Sequence, residues 1–146
     1  MKNILLVFLL TMLFSALAVQ AQPRPEIKTF VDVEYVSGGI SIEEEQALAE
    51  MAKDFTLKVV MALRCGDYLN NINVLILDKD GKIVLESVTD GPILYVNLQP
   101  GKYKVLASAH GEQYKKNVRI KSGRQSQIVY YWPIESRACD EGNNKQ

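Results

Sequence analysis

Seven basic side chains lie between Lys102 and Arg124, and Glu112 is the one acid in that stretch. Clustered lysine and arginine side chains bind carboxylates and phosphates. The stretch from Glu26 to Asp54 has the opposite composition, with eight acids against Lys28 and Lys53. Because the whole chain carries 17 basic and 17 acidic residues, no net charge directs it to nucleic acid or to a membrane surface. The chemistry that the sequence suggests is therefore local anion binding.

The spacing of these bases predicts that several of them share one face of a β-hairpin. If the chain reverses at Gly111-Glu112, then Val105 faces Val118 and Tyr103 faces Ile120 on the inward side. The outward side then holds like charges directly opposite each other, which costs roughly a few tenths of a kcal/mol per pair. The predicted basic face has Lys104 opposite Arg119, Lys102 opposite Lys121, and Lys115 beyond them.

Residues that could carry catalysis or bind a metal are few. His110 is the single histidine and adjoins a turn, the ordinary position of a solvated histidine, and nothing in the sequence brings a nucleophile beside it. Asp78-x-Asp80-Gly81 is similar to the start of a calcium loop, but Thr89 stands where the twelfth-position Glu should be. The acids at Glu43 to Glu45 are typical of a solvated first helical turn. The sequence therefore predicts no catalytic residue, no metal and no cofactor.

Short runs of alternating apolar residues from Phe55 to Trp132, divided by Gly, Asp and Pro turns, predict an all-β sandwich of seven antiparallel strands. Thr29 to Val36 also alternates, which predicts either an eighth strand or an arm that adds to a sheet edge. Between these segments, Ser41 and Glu44 form a capping box. An amphipathic helix follows over about residues 41–54, with the apolar stripe Leu48, Met51, Ala52 and Phe55.

Residues 1–21 have the pattern of a secretory signal peptide, with Lys2, an apolar run and a cleavage site after Ala21. We expect an extended arm over residues 22–40, the helix over 41–54, the sandwich over 55–133 and a polar tail over 134–146. The protein would be periplasmic or secreted, without stable membrane insertion once the peptide is removed. In that oxidising compartment Cys65 and Cys139 predict a disulfide, and the alternative is two free buried thiols.

The run Leu-x-Pro-Gly-x-Tyr-x-Val-x-Ala from Leu98 to Ala107, preceded by Asp80-Gly81 and Asp90-Gly91-Pro92, resembles the carboxypeptidase regulatory-like domain. This resemblance implies an Ig-like or transthyretin-like sandwich of about seven strands in a small exported bacterial protein. It implies no catalytic residue, since that domain is not the catalytic part of carboxypeptidases. Transthyretin-like hydroxyisourate hydrolases resemble the chain less, because their cluster of His and Arg and their C-terminal Tyr-Arg-Gly-Ser are missing.

Together these features predict an exported, non-enzymatic binding module with Lys102, Lys104, Lys115, Arg119 and Lys121 as its candidate binding face. The face could be offset by the acidic helix of the same chain, by an unknown acidic protein or envelope polymer, or by water alone. A second hypothesis is an assembly role, in which the arm at Thr29 to Val36 adds a strand to a neighbouring molecule. A small hydrolase is the third.

Overall fold

The computed structural model describes residues 24–64 and 69–133. The predicted signal peptide, Cys65, Cys139 and the predicted tail at 134–146 lie outside these ranges, so they stay predictions. Within the described ranges, no helix has both the length and the apolar character needed to cross a membrane.

Nine β-strands and one α-helix make up the described part of the chain. In chain order they are β1 (Lys28–Phe30), β2 (Val33–Gly38), α1 (Ile42–Met51), β3 (Leu57–Leu63), β4 (Asn73–Leu77), β5 (Ile83–Val88), β6 (Ile93–Val96), β7 (Gly101–Ala109), β8 (Glu112–Ile120) and β9 (Ser126–Trp132), with a 3-10 turn at Ala52–Asp54 directly after α1.

The strands form two sheets packed face to face, which confirms the predicted all-β sandwich. One sheet has the order β1-β2-β6-β3-β9 and the other has the order β5-β4-β7-β8. Seven strands lie in the predicted sandwich segment, and the N-terminal segment adds two short strands rather than one. Strands β3 and β9 run parallel, with Leu57 opposite Ser126 and Leu63 opposite Trp132, while the other pairs of named strands are antiparallel.

The main core lies between the two sheets and consists of every second residue of the central strands. Val59 and Met61 of β3 meet Val74 and Ile76 of β4, and all four side chains are buried. This alternation follows from the two-residue period of a strand, whose successive side chains point to opposite faces. The pattern used to predict the strands is therefore the pattern that fills the core.

Helix α1 covers the outer face of the five-stranded sheet. Its start is the predicted capping box, because Ser41 Oγ accepts from Glu44 N at 3.1 Å and Glu44 Oε2 accepts from the Ile40 N–H at 3.0 Å. The α-helix ends at Met51, three residues before its predicted end. The last three residues of the predicted helix, Ala52–Asp54, form a 3-10 turn instead. The predicted stripe packs inward against the outer side of β2 and β6, in a second cluster formed by Val36, Leu48, Phe55, Ile93 and Tyr95.

The prediction of one continuous strand from Thr29 to Val36 is wrong. The chain turns at Val31, which has a φ of 56°, and β1 folds back on β2 with Phe30 opposite Val33. Strand β2 then pairs with β6 of the same chain, so its hydrogen bonds are made internally. The assembly role stays a prediction, and it is now confined to the outer edge of the three-residue strand β1.

Asp90 ties the N-terminal hairpin to the sandwich. Its carboxylate accepts from Lys28 Nζ at 2.5 Å and from Ser37 Oγ at 3.0 Å, and its backbone N–H donates to Ser37 Oγ at 2.9 Å. The hydrogen bond from Lys28 holds the pKa of the Asp90 carboxyl below its usual range. At the next residue, a Cβ on Gly91 would lie 2.3 Å from the Gly38 carbonyl oxygen, so only glycine permits this approach.

Tyr130 of β9 joins the two sheets through the core. Its hydroxyl donates to the Val105 carbonyl of β7 at 2.7 Å, and burial raises the pKa of this phenol far above its ordinary value. Lys116 of β8 lies over the Tyr130 ring, 5.4 Å from its centroid, and donates to the Val129 carbonyl. These contacts hold β7 and β8 of one sheet against β9 of the other.

We expect Tyr130→Phe to lower the free energy of unfolding by about 1–2 kcal/mol, because the ring is kept while a buried hydrogen bond is lost. Urea unfolding followed by circular dichroism measures this difference. Tyr131→Phe, which changes an exposed neighbour on the same strand, is the matched control and should leave the midpoint unchanged. Equal effects of the two substitutions would contradict the role given to Tyr130.

We expect Asp90→Asn to lower the melting temperature near neutral pH. Because the folded-state pKa of Asp90 is depressed, the stabilisation is present above the unfolded-state value and is lost as the pH falls through the folded-state value. Thermal melts of the two proteins should therefore differ between about pH 5 and pH 8 and converge below about pH 3. A difference that persists in acid would show that the carboxylate charge is not responsible.

The parallel pairing of β3 and β9 bears on the predicted Cys65–Cys139 disulfide. The Arg64 N–H donates to the Trp132 carbonyl at 3.0 Å, so both strands end at the same pole of the sandwich. Cys65 directly follows Arg64, and Cys139 follows Pro133 by six residues, which can span about 20 Å when extended. The ends of these strands are thus compatible with the predicted bridge, which itself lies outside the described residues.

We expect exported protein to have an intact mass lower by two hydrogen atoms than the same protein after reduction. Cys65→Ser and Cys139→Ser should each lower the stability by the same amount, on the order of 4 kcal/mol in the chain-entropy account. Thiols that react with an alkylating agent before reduction would contradict the bridge.

Candidate functional site

The β7–β8 hairpin carries the candidate site, and its register differs by two residues from the predicted one. The turn consists of His110 and Gly111, with φ of 52° and 81°, and both values are those of a tight two-residue hairpin turn. The chain therefore reverses one residue earlier than the predicted Gly111-Glu112. As a result, Lys102 lies opposite Arg119, Lys104 opposite Asn117, and Leu106 opposite Lys115.

The predicted pairs Lys104–Arg119 and Lys102–Lys121 are wrong, but the paired residues still point to the predicted outer side of the sheet. A shift of two residues exchanges partners without moving any side chain to the other side of the sheet. Val105 and Ala107 are buried in the core, so the residues between them and beside them point outward. The basic face is thus exposed on the outer side of the four-stranded sheet, with Lys102, Lys104, Lys115 and Arg119 on β7 and β8, and Lys121 just beyond β8 in an isolated bridge with Arg124.

The acidic helix does not cover this face. Helix α1 packs on the outer side of the five-stranded sheet, through Leu48 and Phe55 against Tyr95. The basic face belongs to the other sheet and points the opposite way. Among the residues that the structure describes, ion pairs join Lys28 to Asp90 and Lys79 to Asp80, and neither involves the basic face. The charges of this face are therefore not neutralised within the described chain.

An open depression of about 620 Å³ lies beside the basic face, where the β4–β5 turn approaches the start of β7. The bases at its rim are Lys79, Lys102, Lys104 and Arg119, with Asp78 and Asn117 among the other lining residues. Lys79 and Asn117 were not part of the predicted face. The pairing of β4 with β7 brings Lys79 here, since Leu77 lies opposite Lys104, and only this tertiary contact could have revealed it.

The same outer face has an apolar stripe next to its bases. Leu75 and Leu77 of β4 and Leu106 of β7 point away from the core and are half-buried among their neighbours. Ile83 and Val88 of β5 are 44% and 51% exposed. No helix covers this stripe in the described chain, so the four-stranded sheet presents an uncovered face. The face is basic along β7 and β8, and along β4 and β5 it is mainly apolar, with the exposed Glu86 opposite Leu75.

The arrangement can bind an anion, and His110 is not among the residues that line the depression. His110 is exposed in the β7–β8 turn, near Ser108 and Glu112 in a shallow surface depression. The Ser108 hydroxyl accepts from Gln113 Nε2 at 3.0 Å. No group of three or more His, Cys, Asp or Glu side chains able to hold a metal ion occurs within residues 24–64 and 69–133.

The fold and the site define a small β-sandwich with one uncovered, basic sheet face. Residues 54–130, just over half of the chain, match the Rhizobiales growth-associated tandem repeat domain, so the chain belongs to this family. The matched region begins at the end of the 3-10 turn and extends into β9. It contains all five residues of the basic face. No curated protein matches the chain.

Proposed function

We propose that the protein is an exported, non-enzymatic binding module that holds an acidic partner on its basic face. The observation that carries this proposal is the exposure of five bases on one uncovered sheet face, without an ion pair to any described carboxylate. Lys102 and Arg119 lie directly opposite each other, and their repulsion is relieved when a carboxylate or phosphate lies between them. Binding an anion would thus remove an electrostatic repulsion that destabilises the free protein.

The depression lined by Lys102, Lys104 and Arg119 supports an acidic side chain or a phosphate group as the bound element. The fourth base at its rim, Lys79, is already paired with Asp80. At moderate salt, exposed bases of this kind attract an acidic group over about 10 Å. They therefore raise the association rate with an acidic partner more than they raise the affinity of the complex. The partner is therefore an acidic protein or an envelope polymer that carries carboxylates or phosphates. The balanced net charge of the chain argues against nucleic acid.

We propose an Ig-like or transthyretin-like type for this sandwich. Tyr103 supports this interpretation, because its hydroxyl donates to the Gln99 carbonyl at 2.9 Å just before β7. A tyrosine that reaches back to the backbone a few residues upstream of its strand is a hallmark of immunoglobulin-like sandwiches. The resemblance of the Leu98 to Ala107 segment to carboxypeptidase regulatory-like domains points to the same type.

Export rests on the signal-peptide pattern of residues 1–21, and the non-enzymatic role rests on the absence of a catalytic constellation in the sequence. The family description associates its domains with growth. A module that holds acidic material outside the cytoplasm is compatible with a growth-associated role at the cell envelope.

We expect the protein to bind immobilised poly-L-glutamate and long-chain polyphosphate, and not poly-L-glutamine. Comparison of the two acidic probes separates carboxylate from phosphate recognition. Lys104→Glu combined with Arg119→Glu should weaken binding at least about tenfold, because like charges then face each other across the contact. Binding measured by interferometry should also fall steeply between about 20 mM and 500 mM salt.

The matched control is Arg24→Glu combined with Lys53→Glu, which makes the same change in net charge outside β7 and β8. This control should bind within about twofold of the wild type, since screened charges far from the site contribute little. Binding that ignores salt, or that falls equally in both double variants, would contradict the proposed site.

A further inference from the structure

We infer that the acidic partner of the basic face is the α1 side of a second copy of this chain. The inference rests on the proposed function, since it names the partner for the same face. The two surfaces lie on opposite sides of one molecule, α1 on the five-stranded sheet and the basic face on the four-stranded sheet. Contact between them would therefore join molecules head to tail.

The charges of the two surfaces are complementary. Glu43, Glu45 and Glu50 of α1 and Asp54 of the following turn are exposed, and Lys53 is the one base in this element. We call these four acids the acidic face. None of them forms an ion pair with a described base. Within the described residues, each molecule thus carries an acidic surface and a basic surface, and neither is neutralised by an ion pair.

The apolar residues match as well as the charges. Ile40 and Ile42 at the start of α1 are 66% and 71% exposed, directly beside Glu43. On the opposite side of the molecule, the stripe of Leu75, Leu77 and Leu106 adjoins Lys104 and Lys115 through strand pairing. An acidic polymer would neutralise the bases and leave these apolar residues uncovered. A second copy would cover both kinds of residue.

A head-to-tail contact uses a different surface on each partner, so it can repeat from molecule to molecule without closing. Family membership agrees with this geometry, because the family is described as a tandem repeat domain. Successive domains that have opposite charges on their two sides can stack through the same contact. A separate chain with one such domain can make that contact between copies.

The test is sedimentation equilibrium of the protein beginning at Gln22, from about 1 µM to about 1 mM, at about 20 mM and about 500 mM salt. We expect the average mass to rise with concentration at low salt and to return to that of the monomer at high salt. Lys104→Glu with Arg119→Glu leaves two acidic sides, and Glu43→Lys with Glu45→Lys leaves two basic sides. Each of these variants should stay monomeric.

An equimolar mixture of the two reversed variants should associate again, because the unaltered acidic face of one meets the unaltered basic face of the other. A chain that carries all four substitutions should also regain self-association, since its charges are exchanged rather than lost. Glu26→Lys with Asp32→Lys, which alters two acids outside α1, is the control and should associate like the wild type. Circular dichroism and thermal melts establish that each variant is folded.

Failure of this inference can be told apart from failure of the proposed function. A protein that binds poly-L-glutamate through Lys104 and Arg119 but remains monomeric at every concentration overturns the inference and leaves the proposed function standing. A protein that neither binds poly-L-glutamate nor self-associates overturns both. Self-association that persists at high salt and in both charge-reversed double variants must use another surface. This result overturns the inference as well.

Discussion

The burial of alternate residues in β7 is the constraint on which the rest of the structure depends. Val105 and Ala107 lie in the core between the sheets, and the Tyr130 hydroxyl holds the Val105 carbonyl from the opposite sheet. A strand whose inward residues are held in this way has no freedom to turn its other side chains inward. Lys102 and Lys104 must therefore face outward. The position of the candidate site is a consequence of core packing.

The same logic explains why the helix covers one sheet and not the other. Strand β6 is buried on both faces, with Leu94 in the core and Ile93 and Tyr95 under α1. The outer side of β7 and β8 has bases in place of such residues, so a helix that buried its apolar stripe there would also have to desolvate lysines. Segregation of acid and base to opposite sides thus follows from where the second apolar cluster can form.

Much of this arrangement could be predicted from sequence, and the failures have local causes. The alternation of β7 and β8 gave the correct outward face, because that depends only on odd and even positions. The pairing partners depend on which residues form the turn, and a positive φ at His110 could not be predicted because this conformation is uncommon for any residue other than glycine, even though histidine is enriched in it. The break at Val31 has the same origin, since a β-branched residue with a φ of 56° continues the alternating pattern while ending the strand.

The edges of the sheets explain why binding through a face is the better interpretation than binding by strand addition. Lys116 points from the edge strand β8 toward β9, where it contacts the Val129 carbonyl and the Tyr130 ring. A charge that points inward from an edge strand opposes pairing with another chain. Strand β1 has three residues, and the pairing of β4 with β5 shifts register at Ile76 and Leu77. These three edges are short, charged or irregular, whereas the outer face of the four-stranded sheet is exposed and not covered by the helix. That face combines exposed bases with uncovered apolar side chains, so a partner must satisfy both.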